Sequence, residues 1–306
     1  MTRSTKNIAA SVLARLKQQA DRQGVPYNHV LQFYAMERFL YRLSQTKHVD
    51  SVFLKGALLL KVIGIPRARP TMDIDLLKRG AADRSHLVGL VKDCIAAGVP
   101  TDGIEFDASS VRAEDITVDA DYQGSRVLFD GRVGTAKVHL QIDFGVGDAM
   151  IPGPRVIEYP VLLDSPPPRL NAYPIETSIA EKFQAMVELD TANSRMKDFY
   201  DLWVLARHIE FDGSTLASAL RATFDRRQTP LPVDAPIALT PRFFADPVHQ
   251  RQWQAFVRRI GEQGLAERFA EVCADIAKFI VPPSTAASID KTFAKKWPAG
   301  GPWREG

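Results

Sequence analysis

Two stretches of this chain alternate with period two, and each carries carboxylates on one side only. In Arg69-Pro-Thr-Met-Asp-Ile-Asp-Leu-Leu77, Asp73 and Asp75 stand two residues apart. Successive side chains of a strand point to opposite faces, so both carboxylates share one face and Met72, Ile74 and Leu76 the other. In the second stretch, Val138, Leu140 and Ile142 point one way and His139, Gln141 and Asp143 the other. If the two strands are neighbours, Asp143 joins Asp73 and Asp75. Three carboxylates so close repel each other. At an effective dielectric near 20, a pair about 4 Å apart costs roughly 4 kcal/mol. Such a cluster takes up protons or binds cations. Hard oxygen ligands suit Mg²⁺, with Mn²⁺ as an alternative, and a cation held there can engage substrate phosphates.

The rest of the chain is compatible with a folded domain around that cluster. It has 306 residues, 45% of them hydrophobic, and a formal charge of +3 from 39 basic and 36 acidic residues. This supports one large or two ordinary domains, and so small a charge does not by itself announce a nucleic-acid binder. No apolar run reaches membrane-spanning length and no signal-peptide core opens the chain, so a cytoplasmic protein is expected. Cys94 and Cys273 lack metal-like spacing and are expected to be reduced.

Four regions are expected. Residues 1–48 form an N-terminal helical segment. Its excess of Lys and Arg, including Arg15, Lys17, Arg22, Arg38 and Arg42, suits either a solvated face or a nucleic-acid contact. Residues 49–165 form an α/β core, with strands at 51–54, 72–77, 116–122, 126–129, 136–144 and 156–163, and Ser165-Pro-Pro-Pro168 as a linker. Residues 166–294 are helical, opening on the capping-box pattern Ser178-Ile-Ala-Glu181. Residues 295–306, rich in Pro and Gly, read as a disordered tail.

Other residues extend the cluster. Gly56, seventeen residues before Asp73, stands at a strand-to-helix turn where a missing side chain lets a phosphate approach the backbone. Lys182 lies beside an apolar stripe and suits a triphosphate or a snorkelling surface position. Asp198 and Asp201 share a helix face, and either can complete an acidic site. There is no zinc spacing, no nucleophile elbow and no P-loop lysine motif.

These pieces together resemble the AbiEii/AbiGii toxin nucleotidyltransferases, a MenT-like branch of the polymerase-beta-type superfamily. The resemblance rests on Tyr34–Arg42, Phe53–Leu60, Arg69–Leu76, Leu140–Asp148, Ile179–Ala185 and Asn193–Leu202, in that order along the chain. It implies an α+β fold: a polymerase-beta-like core of mixed sheet and flanking helices, with N-terminal helices and a C-terminal helical domain. It also implies Mg²⁺-dependent transfer from a nucleoside triphosphate to RNA, most plausibly a tRNA 3′ end, in a bacterial toxin–antitoxin or phage-defence system with a separately encoded antitoxin. By that resemblance Asp73, Asp75, Lys182 and Asp198 are catalytic, Asp73 and Asp75 hold metal, and Gly56 and Lys182 bind nucleotide. Strand alternation adds Asp143 to the expected metal ligands, and Lys55 and Thr71 are further expected nucleotide contacts. Ala57 stands where the family often has Gly or Ser, which removes a hydroxyl contact to phosphate. Transfer to a small molecule or protein, and a non-enzymatic nucleotide-binding module, are the competing expectations.

Overall fold

The computed structural model describes residues 5–65, 69–119, 122–147 and 149–306. The chain divides into two compact units. The first comprises residues 1–63, 70–147 and 155–173; the second comprises 64–69, 148–154 and 174–306.

The first unit begins with helices α1 (Thr5–Gln23) and α2 (Tyr27–Ser44). Then follow β1 (Val52–Leu54), α3 (Gly56–Val62), β2 (Ile74–Lys78), α4 (Arg84–Ile95), β3 (Ile104–Asp119), β4 (Tyr122–Val133), β5 (Ala136–Val146), β6 (Arg155–Glu158) and β7 (Arg169–Ala172). All seven strands join one mixed sheet in the order β3-β4-β5-β2-β1-β7-β6. β2 runs parallel to β5 and antiparallel to β1. The N-terminal helices belong to this unit, because Leu16, Tyr34, Phe39 and Leu40 bury into the same core as Ile74, Phe129, Leu140 and Ile142. Phe39 packs on Phe106 and Phe129, with ring centroids 6.1 and 5.1 Å away.

Alternation explains which side chains face that core, with one exception. Ile74 and Leu76 are buried as expected, but Met72 is half exposed because β2 begins only at Ile74. The pair of short strands expected at 116–122 and 126–129 is a long hairpin, β3–β4; residues 120 and 121 lie outside the described residues. The strand expected at 156–163 stops at Glu158. Ser165–Pro168 leads straight into β7, which pairs in parallel with β1. Two of the basic residues of α2 serve structure rather than an outer surface. Arg38 is buried against Glu37 at 2.8 Å and donates to the Pro166 carbonyl at 3.0 Å, and Arg42 is buried on Asp102 at 2.7 Å.

The second unit contains α5 (Ile175–Leu189), α6 (Met196–His208), β8 (Phe211–Asp212), α7 (Gly213–Arg226), α8 (Pro241–Phe244), α9 (Pro247–Arg259), α10 (Phe269–Ser288), β9 (Lys295–Trp297) and β10 (Arg304–Glu305). α5 starts at Ile175 behind Pro174, so Ser178 sits inside the helix and caps nothing. Residues 295–306, expected to be disordered, instead supply β9 and β10 to a three-stranded sheet with β8. Two tryptophans hold them. Trp297 is buried and its Nε1 donates to the Ala206 carbonyl at 2.6 Å. Trp303 donates to the Phe279 carbonyl at 2.9 Å. That carbonyl is four residues before Pro283, which has no N–H to give it. The tail thus satisfies a helix acceptor that proline orphans. Among the described residues, no helix is long and apolar enough to cross a membrane.

Candidate active site

Strand register builds the acidic cluster. Asp75 on β2 stands directly opposite Asp143 on β5, and Ile74 opposite Ile142. Asp73 lies one residue before β2. Carboxylate oxygens of Asp73, Asp75 and Asp143 all come within 4.8 Å of one another, and all three side chains are partly exposed. The arrangement is the one alternation implies, and it is the only such cluster found among the described residues. Three oxygen donors of one sign at this spacing fit a hard divalent cation.

Backbone and side-chain contacts fix the cluster. The Lys55 N–H donates to the Asp75 carbonyl at 2.9 Å. Gln32, buried on α2, donates to the carbonyls of Met72 at 3.2 Å and His139 at 2.8 Å. It therefore ties the approach to β2 to the β5 strand that carries Asp143. The buried Thr71 hydroxyl contacts the Asp73 carboxylate. Lys55 places its ammonium 4.4 Å from the Tyr173 ring centroid. His139 turns to Asp130 at 2.6 Å, and Gln141 donates to Asp143 at 3.2 and 3.3 Å.

Gly56 abuts this cluster. Its φ is +67°, and a Cβ placed on it would lie 2.6 Å from Asp75 Cγ. Only glycine accommodates both the left-handed backbone and that approach. Gly56→Ala is therefore expected to cost about 1–2 kcal/mol in backbone strain and to displace Asp75. A displacement near 1 Å at a reacting centre costs about 100-fold in rate. Steady-state kinetics beside thermal melting will check this, with the rate falling far more than the melting temperature.

Arg126 was not singled out from the sequence. It stands opposite Asp143 on β4 and grips both of its oxygens, Nε to Oδ1 at 2.8 Å and Nη2 to Oδ2 at 2.9 Å. Hydrogen bonding to Asp143 raises the guanidinium's pKa against partial burial, and the charges of Asp143, Glu114 and Asp73 reinforce it.

In the second unit, Lys182 and Asp198 meet as part of a buried charge network. The Lys182 ammonium lies 2.7 Å from Asp198 and 2.9 Å from Asp201. Arg195 reaches Asp198 at 2.7 Å and Arg69 reaches Asp201 at 3.1 Å. Both aspartates are 1% exposed. Burial alone would raise the Asp198 carboxyl; Lys182 and Arg195 outweigh it and hold it well below the usual range. Burial likewise lowers Lys182, and Asp198 with Asp201 more than offsets it, so its pKa is raised. Asp198 and Asp201, either of which was expected to complete an acidic site, both hold the one lysine. Both cysteines are free and buried, and burial pushes the Cys94 thiol up to about 12.

The second unit also carries a groove of about 580 Å³ lined by Ser194, Arg195, Met196, Lys197, Gln252, Ala255, Phe256 and Arg259. Its lining has three cations and no acid, and both Met196 and Phe256 are buried beneath it.

Comparison with known proteins bears on the family and the fold. Residues 38–275 match the family model described as nucleotidyl transferase AbiEii toxin of a type IV toxin–antitoxin system. A solved structure titled a putative nucleotidyltransferase from Helicobacter pylori superposes with a TM-score of 0.50 at 18% identity, covering 87% of this chain and 97% of that one. A second, JHP933 from the same organism, has a TM-score of 0.49 at 19% identity, covering 85% and 97%. A search of curated protein sequences finds no match. At 18% identity the first of these speaks to the fold alone.

Proposed function

Because the chain belongs to the AbiEii nucleotidyltransferase toxin family, we propose that it moves a nucleoside monophosphate from a triphosphate to an RNA hydroxyl, most directly a tRNA 3′ end, and releases pyrophosphate. The observation that carries the reading is the register that brings Asp73, Asp75 and Asp143 within 4.8 Å. These residues would hold Mg²⁺ or Mn²⁺. Such an ion neutralises phosphate charge and makes the attacking hydroxyl more acidic. The protein's own part is positional. Gly56 leaves room beside Asp75, and Thr71 and Gln32 fix the segment that presents Asp73. Lys55, Thr71 and Lys182 are the proposed nucleotide contacts. Asp198 and Asp201 keep Lys182 charged. The reading sets the reaction in the cytoplasm, with a separately encoded antitoxin restraining it and phage defence as one setting.

The groove supports a polynucleotide acceptor over a small molecule. Cations along a rim suit a single strand, whose phosphates meet the charge. Lys197 and Arg259 are exposed, so reversing both charges is expected to leave folding intact. For a fluorescent single-stranded RNA, Lys197→Glu with Arg259→Glu is expected to weaken binding at least about tenfold. It should also flatten the salt dependence by about 0.7 per lost phosphate contact. Equal affinity and slope in the double variant would turn the reading toward a small-molecule or protein acceptor.

A further inference from the structure

Across the sheet, one row of charged residues sets a single cation among acids. Glu114 on β3 stands opposite Arg126 on β4, Arg126 opposite Asp143 on β5, and Asp143 opposite Asp75 on β2. Directly opposed side chains on neighbouring strands are about 4.5–5.5 Å apart at Cβ. Arg126 therefore has a carboxylate on either side of it. It grips Asp143 through both nitrogens at 2.8 and 2.9 Å, and the charges of both Glu114 and Asp143 stabilise its own. Glu114 is exposed, whereas Asp143 is partly buried.

This arrangement has a consequence for cation binding. Arg126 and Gln141 together send four hydrogen bonds to the two oxygens of Asp143, about as many as a carboxylate has lone-pair sites for donors and metal together. A divalent ion beside a fixed guanidinium also meets a positive charge that low local dielectric does little to screen. Asp143 thus cannot serve Arg126 bidentately and a cation fully at once.

We propose that Arg126 is the resident counter-ion of the acidic cluster and that a divalent cation binds by displacing it from Asp143 toward Glu114. The inference rests on the reading of Asp73, Asp75 and Asp143 as a metal site. The row then works as a two-position exchange. Without the cation, Arg126 neutralises Asp143 and keeps three carboxylates from repelling each other. With it, the ion takes over that neutralisation and Glu114 receives the guanidinium. Arg126 is a positioning residue in this scheme, and its effect is to raise the cation concentration at which the site fills.

Mn²⁺ binding to the full-length protein without nucleotide, followed by the loss of the free-ion electron paramagnetic resonance signal, tests this independently of turnover. Arg126→Gln is expected to bind Mn²⁺ about tenfold more tightly than the unmodified protein. Glu114→Gln, at an exposed position, is expected to bind two- to threefold more weakly because the displaced guanidinium loses its second partner. In the double variant the Glu114 effect should vanish, which is the coupling that distinguishes exchange from two separate effects. Mn²⁺ binding that is unchanged or weaker in Arg126→Gln, or a Glu114 effect that persists without Arg126, would overturn the exchange and leave Arg126 as a prop for Asp143. Absence of Mn²⁺ binding in both the unmodified protein and Arg126→Gln would instead remove the metal reading on which it rests.

Discussion

Asp75→Asn is expected to abolish nucleotide transfer, lowering kcat by at least about 10³-fold, in line with loss of a principal electrostatic group. Asp75 is the hub of the cluster. It is the register partner of Asp143, its backbone carbonyl receives the Lys55 N–H, and Gly56 is shaped to its carboxylate. Asparagine keeps the size and one oxygen but removes the charge that attracts a cation. It also relieves like-charge repulsion, so the fold should be unharmed or slightly more stable. The expected signature is therefore an inactive protein with an undiminished melting temperature. Expression of the variant in a sensitive host should no longer arrest growth. Single-turnover kinetics with labelled triphosphate, beside a melting curve, will read both.

Lys182→Met is expected to be the most damaging substitution for stability. The ammonium sits between Asp198 and Asp201, each 1% exposed. Removing it leaves two buried carboxylates paired with Arg195 and Arg69 among the described residues. Breaking one member of a buried ion pair costs about 3–5 kcal/mol, and the remaining arginines keep the loss near the lower end. For a protein this size that is a melting-temperature drop of roughly 6–12 °C. The pH dependence has a definite sign. Asp198 has a folded pKa held below its ordinary value, so its contribution is full above the ordinary carboxylate range and is lost as pH falls through the depressed value. Lys182 has a raised pKa, so its contribution is full below the ordinary lysine range and is lost as pH rises through the raised value. The unmodified protein should hold its stability across the neutral range. The Lys182→Met protein should gain stability as pH falls toward the carboxylate range, because protonation then relieves the uncompensated acids. Urea unfolding at several pH values measures this.

The site was legible in the sequence where its parts lie along one strand. Period-two alternation placed Asp73 with Asp75 and put Asp143 on the polar face of its own strand, and only the neighbouring of β2 and β5 had to be supplied. Gly56 was legible as a glycine at a strand-to-helix turn, and its φ of +67° is one that favours glycine. Arg126 was not, because its role depends on which residue of β4 stands opposite Asp143. One residue of slip would turn it to the other face. The buried arginines of α2 were hidden for a related reason, since Arg38 donates to the Pro166 carbonyl and Arg42 pairs with Asp102, both far along the chain. The C-terminal strands were missed because each is only two or three residues long and Pro298, Gly300, Gly301 and Pro302 lie between them. What orders them is Trp303 reaching a carbonyl that Pro283 leaves without a helix partner.

The central claim is transfer of a nucleotide to RNA by the cluster built on Asp73, Asp75 and Asp143. Its most direct test incubates the protein with total RNA and each α-³²P-labelled nucleoside triphosphate in turn, with Mg²⁺ or with chelator, and resolves the products on a denaturing gel. Label should enter RNA of tRNA size from at least one triphosphate, only with the divalent ion, and not with Asp75→Asn. Label that stays out of RNA with all four triphosphates, or that enters equally with chelator or with Asp75→Asn, would contradict it.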